Sequence, residues 1–236
     1  MKKILFILLT ALFSTVAYAS ECETFWKQEN YDKAFSACKV EAEQGDMKAQ
    51  FNLAVAYDEA RGTKKDLGQA LYWYTKSAEQ GLDEAQYNLA LMYDEGEGID
   101  EDNEKAVYWY TKAAEQGLAG AQYNLALMYD EGEGIDEDNE KAVYWYTKAA
   151  EQGLSEAQYN LALMYDEGDG VEKNKEMAIS WYKKAAAQNN AQALNNLGAI
   201  YYNAQGVEKN KVLARKYFKQ ACTLGLEDAC DNYKLR

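Results

Sequence analysis

The residues of this chain that could do chemistry are clustered carboxylates, four cysteines and two serine–lysine pairs. Asp94, Glu95, Glu97, Asp100, Glu101, Asp102 and Glu104 place seven acids in eleven residues; Asp130, Glu131, Glu133, Asp136, Glu137, Asp138 and Glu140 do so again further on. Clustered carboxylates can ligate a hard cation, which wants several oxygen ligands. The calcium-loop pattern is not met, because Gly96 and Gly98 fall at the wrong offsets and no glutamate follows at the twelfth position. Carboxylate pairs also hydrolyse glycosides, but that chemistry uses one asymmetric pair in a shaped pocket, and these acids come as copies. The serine pairs are S-x-x-K matches, Ser36 to Lys39 and Ser180 to Lys183. An acyl-enzyme of that type also needs S-D-N and K-T-G. Neither occurs, and both serines lie in helical patterns that recur elsewhere without them. The expectation is therefore no catalytic residue, no resident metal and no cofactor.

Composition narrows the classes further. Lys and Arg number 25 against 39 Asp and Glu, a net charge of −14, and histidine and proline are absent. Without imidazole there is no histidine-based triad and no histidine general base. A strongly acidic chain lacks the basic face that nucleic acid requires, so no nucleic-acid partner is expected. With 20 tyrosines and 48% hydrophobic residues, this is no disordered acidic tail.

The elements that hold these residues are repeats. Residues 85–118 and 121–154 are the same 34 letters, AQYNLALMYDEGEGIDEDNEKAVYWYTKAAEQGL, with a period of 36. Related copies fill the frames 49–84, 157–192 and 193–228, an N-terminal helix pair occupies 20–48, and a stub at 229–236 begins another copy. A fixed period in this range means a solenoid, whose units bury their apolar faces only by stacking on neighbours. Each unit reads as two helices. Ala85, Leu89 and Tyr93 recur at helical spacing as one apolar stripe, and Gly96 and Gly98 break that helix. Asp102 or Asn103 caps a second helix, running to about Gln116, in which Ala106, Trp109 and Ala113 share a face.

Ahead of the repeats, Lys2 and Lys3 precede the apolar run Ile4–Val16 and the small-x-small site Ala17-Tyr18-Ala19. That is the pattern of a cleaved secretory signal, residues 1–19, and the run is too short for an ordinary membrane span. The product is expected in the periplasm or outside the cell, without stable membrane insertion. Its cysteines then lie in an oxidising compartment, where pairing is expected.

The repeated pattern A-x-x-N-L-A-x-x-Y-x-x-G-x-G followed by A-x-x-W-Y/F-x-K-A-A-x-x-G resembles the Sel1-like repeat, a relative of the tetratricopeptide repeat, over 33–236. The resemblance implies an all-α fold, a right-handed α/α solenoid of helix pairs, and an adaptor or scaffold role. It also touches the secreted cysteine-rich branch, in which two cysteines with seven residues between them bridge successive helices. Cys222 and Cys230 match that spacing, whereas the copies from 49 to 192 hold no cysteine.

Geometry points to two local bridges. Cys22 and Cys38 lie eight residues either side of Asn30, and Cys222 and Cys230 four either side of Leu226. Residues equidistant from a turn between antiparallel helices lie side by side, within reach of a disulfide. The pairings Cys22–Cys38 and Cys222–Cys230 would clamp the fraying ends of the solenoid.

In tetratricopeptide-like superhelices the first helices line a concave groove. With Leu89 facing the core, Tyr87 and Leu91 point the other way, and so do Phe51 with Val55, Tyr123 with Leu127, and Tyr159 with Leu163. These pairs form an expected partner-binding track. Asn52, Asn88, Asn124, Asn160 and Asn196 run beside it, placed to bond a ligand backbone, and Asn195 and Ala199 end it. The frames 85–120 and 121–156 carry −6 and −7, while 193–236 carries +3. Acids at the start of a helix suit its dipole, but Asp94 and Glu95 sit at the end of one, where the dipole disfavours them. The middle is therefore expected to meet a protein or peptide with a basic surface. The favoured function is a non-enzymatic exported interaction scaffold. The alternatives are a periplasmic immunity or inhibitor protein and, from another class, a penicillin-interacting β-lactamase-like hydrolase.

Overall fold

The computed structural model describes residues 20–235; the signal expected at 1–19 lies outside them. Among the described residues there are thirteen helices and no strands. They are α1 (Glu21–Lys27), α2 (Tyr31–Glu43), α3 (Met47–Asp58), α4 (Leu67–Glu79), α5 (Asp83–Glu95), α6 (Asn103–Glu115), α7 (Ala119–Glu131), α8 (Asn139–Glu151), α9 (Ser155–Glu167), α10 (Lys175–Ala187), α11 (Ala191–Asn203), α12 (Lys211–Thr223) and α13 (Glu227–Leu235). Each packs mainly on the helix before and after it, an all-α solenoid of stacked pairs. First helices start two residues ahead of the frames read from sequence identity, because the variable residues before Ala85 and Ala121 already have helical geometry.

Local chemistry sets the boundaries. Asp66, Asp102, Asp138, Asn174 and Asn210 each accept a backbone N–H three residues on and so start the second helices, satisfying a donor that has no partner inside the helix. Gly96, Gly132 and Gly168 close first helices in the left-handed conformation. Gly170 has a further duty. Its φ is +62°, and a Cβ there would fall 2.1 Å from the backbone oxygen of Asn139, so this loop lies against the start of the preceding repeat's second helix.

The core is a row of alanines and leucines with one aromatic ring per repeat. Tyr74, Tyr110, Tyr146, Tyr182 and Phe218 are fully buried, as are Leu53, Leu89, Leu125, Leu161 and Leu197. This corrects the expectation for the second helix. Ala106 and Ala113 do face the core, but Tyr110 stands between them, while Trp109 is partly buried and packs against the cores of two adjacent repeats. One residue turns a helix by about 100°, so Tyr110 points inward and Trp109 covers the seam.

Buried glutamines tie the repeats together. Gln122 donates to the Ala114 carbonyl at 3.1 Å, and Gln152 donates to Gln122 Oε1 and the Gly117 carbonyl, both at 2.8 Å. The same set recurs with Gln86 and Gln116, and with Gln158 and Gln188. Disulfides join Cys22 to Cys38, from α1 to α2, and Cys222 to Cys230, from α12 to α13, with Cα separations of 4.5 and 4.6 Å. Both are the local pairings expected from the turns. A nine-residue α13 is short for a helix that must hold without help, and the second bridge ties it to α12.

Candidate partner-binding face

The first helices α5, α7 and α9 carry the expected track. Tyr87, Leu91, Tyr123, Leu127, Tyr159 and Leu163 are all half-buried. The Tyr87 ring lies 5.9 Å from that of Tyr110, and a Cβ on Gly120 would be 3.4 Å from it, so Tyr87 reaches onto the start of the next first helix. Phe51 stands similarly against Tyr74. Val55 is 8% exposed and belongs to the core, which removes it from the track. Asn52 is also buried, with its amide donating to Cys22 Sγ.

The asparagines beside the track bond inside the protein. Asn124 donates to the Tyr110 hydroxyl at 2.9 Å, and that hydroxyl donates to Asp94 Oδ2 at 2.9 Å. Asn160, Tyr146 and Asp130 form the same chain, at 3.1 and 3.2 Å. Asn196 donates to the Tyr182 hydroxyl at 3.2 Å, and the Tyr74 hydroxyl donates to Asp58 at 3.3 Å within its own repeat. The asparagine-to-tyrosine bonds of Asn124, Asn160 and Asn196 each cross from one repeat to the next. Burial, then the nearby aspartate, pushes the Tyr110 and Tyr146 hydroxyls well above the usual tyrosine range, so they remain donors. The ladder expected to meet a ligand backbone instead fixes the stacking of repeats. Sequence reasoning missed the tyrosine and aspartate partners; the signal was their fixed spacing, with Asp94, Tyr110 and Asn124 each recurring one period on.

The acidic residues divide by role. Asp102 and Asp138 are caps that also pair with Lys105 and Lys141 at 2.7 and 2.9 Å. The lysine hydrogen bonds hold both carboxyls below the usual aspartate value. Glu95, Glu97, Asp100, Glu101, Glu131, Glu133, Asp136 and Glu137 are exposed. Asp94 and Asp130, at the ends of α5 and α7, are half-buried. Among the described residues no group of three or more acids or cysteines is placed to hold a metal ion.

One cleft brings sequence-expected residues together. A cavity of about 260 Å³ between α7 and α9 is lined by Leu127, Asp130, Glu131, Asn160, Leu163, Met164, Glu167 and Asp169. Burial raises the Asp130 carboxyl above its usual value; the Tyr146 hydroxyl opposes this, and the charges of Asp169 and Glu137 add to it. Burial and Asp169 likewise raise Glu167. Leucine walls beside crowded carboxylates suit a long side chain with an apolar stem and a cationic head.

The serine pairs are not brought together in a cleft: Ser36 lines a cavity of about 480 Å³ with Phe25, Lys33 and Glu41, but Lys39 is not among its walls. Ser36 donates to the Asp32 carbonyl one turn back in its own helix, and Ser180 is exposed on α10 while Lys183 lies over the Tyr201 ring. A feature the sequence reading did not assign lies on the second helices. Tyr72, Tyr108 and Tyr144 are 51–54% exposed, each edge-on to the following tryptophan and beneath a lysine four residues on.

Comparison with known proteins agrees with this architecture. The Sel1 repeat profile matches residues 48–82, 83–118, 119–154, 155–190 and 191–226. A protective antigen of uropathogenic Escherichia coli displaying an SLR fold is 41% identical, with a TM-score of 0.82 over 84% of this chain and 43% of its own. The chain thus spans less than half the length of that relative. A Sel1 repeat protein from Oxalobacter formigenes is 32% identical, covering 92% of this chain and 87% of its own at a TM-score of 0.84. An immunity protein from Pseudomonas aeruginosa, 21% identical over 89% of this chain and 84% of its own with a TM-score of 0.53, shares the fold. Among curated proteins none matches.

Proposed function

The chain belongs to the Sel1 repeat family, and from that premise we propose that it is an exported, non-enzymatic scaffold that docks a protein or peptide along its first helices. The observation that carries this reading is the cleft between α7 and α9, where Leu127 and Leu163 stand beside Asp130, Glu131, Glu167 and Asp169. Tyr87, Tyr123 and Tyr159 continue the surface as half-buried aromatic anchors, the residue type that dominates binding energy at protein interfaces. Phe51 and Leu91, half-buried like the tyrosines, complete the track. The acidic loops, from Asp94 to Asp102 and from Asp130 to Asp138, steer a partner with a basic surface, an attraction that weakens as salt rises. Two disulfides suit an oxidising compartment. No described helix is long and apolar enough to cross a membrane, and the leader pattern at 1–19 supports export to the periplasm or beyond.

The test is a cross-linked pull-down from periplasm and culture medium. A Tyr87→Ala/Tyr123→Ala variant that keeps its helical circular dichroism should lose the partner, while Tyr72→Ala/Tyr108→Ala should keep it. The opposite result moves docking to the second helices and ends the groove reading.

A further inference from the structure

The internal copies differ at one place on the binding face, and the difference identifies what is missing there. The position at the end of each first helix is Asp58, Asp94, Asp130, Asp166 and Tyr202 in the five repeats. Three of the five receive an ammonium from their own repeat. Asp58 pairs with Lys65 at 3.7 Å, and Asp166 pairs with Lys175. Tyr202 has Lys209 and Lys211 over its ring at 5.5 and 5.3 Å.

The two middle copies lack these lysines. Where Lys65 would stand they have Glu101 and Glu137, and where Lys175 would stand they have Asn103 and Asn139. Among the described residues no lysine or arginine pairs with Asp94 or Asp130. The nearby Lys105 and Lys141 are committed elsewhere, to Asp102 and Asp138 and to the rings of Tyr93 and Tyr129. Asn103 and Asn139, at the positions of the absent lysine, bring no charge to the aspartates, and Oδ1 of each is a buried acceptor with no hydrogen-bond donor. At Asp130 the space is open, as one wall of the 260 Å³ cleft.

We propose that Asp94 and Asp130 are vacant seats for lysine side chains of the partner, which supplies in trans the ammonium that the outer repeats supply in cis. This rests on the groove reading above and sharpens it. The ligand is a basic peptide segment whose lysine stem lies along Leu127 and Leu163 and whose head reaches Asp130, with Glu131, Glu167 and Asp169 around it. Seats one repeat apart ask for successive lysines in an extended segment.

The probe is a blocked hexalysine peptide titrated calorimetrically into the oxidised, leaderless protein at low salt. Asp130→Asn, which keeps an acceptor for Tyr146 but removes the charge, should weaken binding about tenfold. Asn139→Lys, which copies the occupied arrangement of Lys175, should weaken it as much by filling the seat from within. Lys175→Gln should strengthen binding by vacating Asp166. Glu151→Gln, an equal charge change on the end of a second helix, should stay within about twofold of wild type. Hexalysine should shift the methyl resonances of Leu127 and Leu163. Equal weakening by Asp130→Asn and Glu151→Gln, or unaltered binding by Asn139→Lys, would overturn the proposal. Such a failure would leave the pull-down result standing, so the groove reading and the seats are tested separately.

Discussion

The middle seams and the last seam of this solenoid solve the same packing problem with different chemistry. Between middle repeats a buried tyrosine hydroxyl links an aspartate to the next repeat's asparagine, and glutamines bond across the junction. In the last repeat Phe218 takes the tyrosine position, Tyr202 the aspartate position, and Leu194 and Leu224 the glutamine positions. The tyrosine, the aspartate and both glutamines change together, and only the asparagine is kept. Replacing both members of a buried hydrogen bond with apolar groups can be nearly neutral, whereas removing one leaves the other unpaired at a cost. The asparagine left over, Asn232, bonds Asn195 instead, at 3.2 Å. Leu194, Ala221 and Ala229 form a small core there, and the Cys222–Cys230 bridge fastens it. Directional bonds set register between the middle copies; apolar packing and a covalent clamp join α12 to α13.

The comparison predicts its largest effect at the loop glycines. A Cβ on Gly170 would meet the Asn139 backbone at 2.1 Å, whereas one on the equivalent Gly206 would meet the Lys175 side chain at 2.8 Å. Both glycines have positive φ, so alanine is strained at each, but only the lysine stem can move aside. Gly170→Ala should cost about 3 kcal/mol or more and Gly206→Ala about 1–2 kcal/mol, measured by urea unfolding. Equal losses would mean that the middle loops are no more tightly seated than the last.

A smaller effect tests the polar chain itself. Tyr146→Phe keeps the ring but removes the bonds to Asp130 and Asn160, and should cost about 1–2 kcal/mol, the lower part of the range because Asp130 is only half-buried. In a double-mutant cycle with Asp130→Ala the coupling should be about 1 kcal/mol. Strict additivity would reduce the middle seam to apolar packing and erase its difference from the last.

The solenoid was legible because its evidence is repetition. The 36-residue period, the glycine breaks and the asparagine or aspartate caps mark helices directly, and turn-centred spacing places both disulfides. The binding face was less legible. Helical angles put Val55 and the asparagines on the outer side of the first helices, but a neighbouring repeat covers part of that side, and a single helix cannot show which part. Tyr110 was overlooked in favour of Trp109 because neighbouring aromatic residues of similar bulk differ only in the direction each faces. Lysine pairing could have been found by aligning the copies, since the changes at Glu101, Asn103, Glu137 and Asn139 are visible in sequence; what was lacking was the knowledge that these positions approach Asp94 and Asp130.

The smallest predicted effect is a pH response confined to the middle. Asp130 and Glu167 are raised above their unfolded values by burial and by neighbouring acids. A carboxyl raised in the folded state favours folding most when protonated. Its contribution is therefore present below the unfolded value, near pH 4, and is lost as pH rises through the folded value. Asp102 and Asp138 are lowered by their lysines and act in the opposite sense, losing their contribution as pH falls. Hydrogen exchange across α7 and α9, corrected for intrinsic rates, should show less protection at pH 6.5 than at pH 4.5 relative to α12. Asp130→Asn should flatten that difference, and hexalysine should do the same by placing ammonium groups beside the carboxylates. A response of equal size in α12, or one untouched by Asp130→Asn, would show that crowded charge in the middle cleft is not its source.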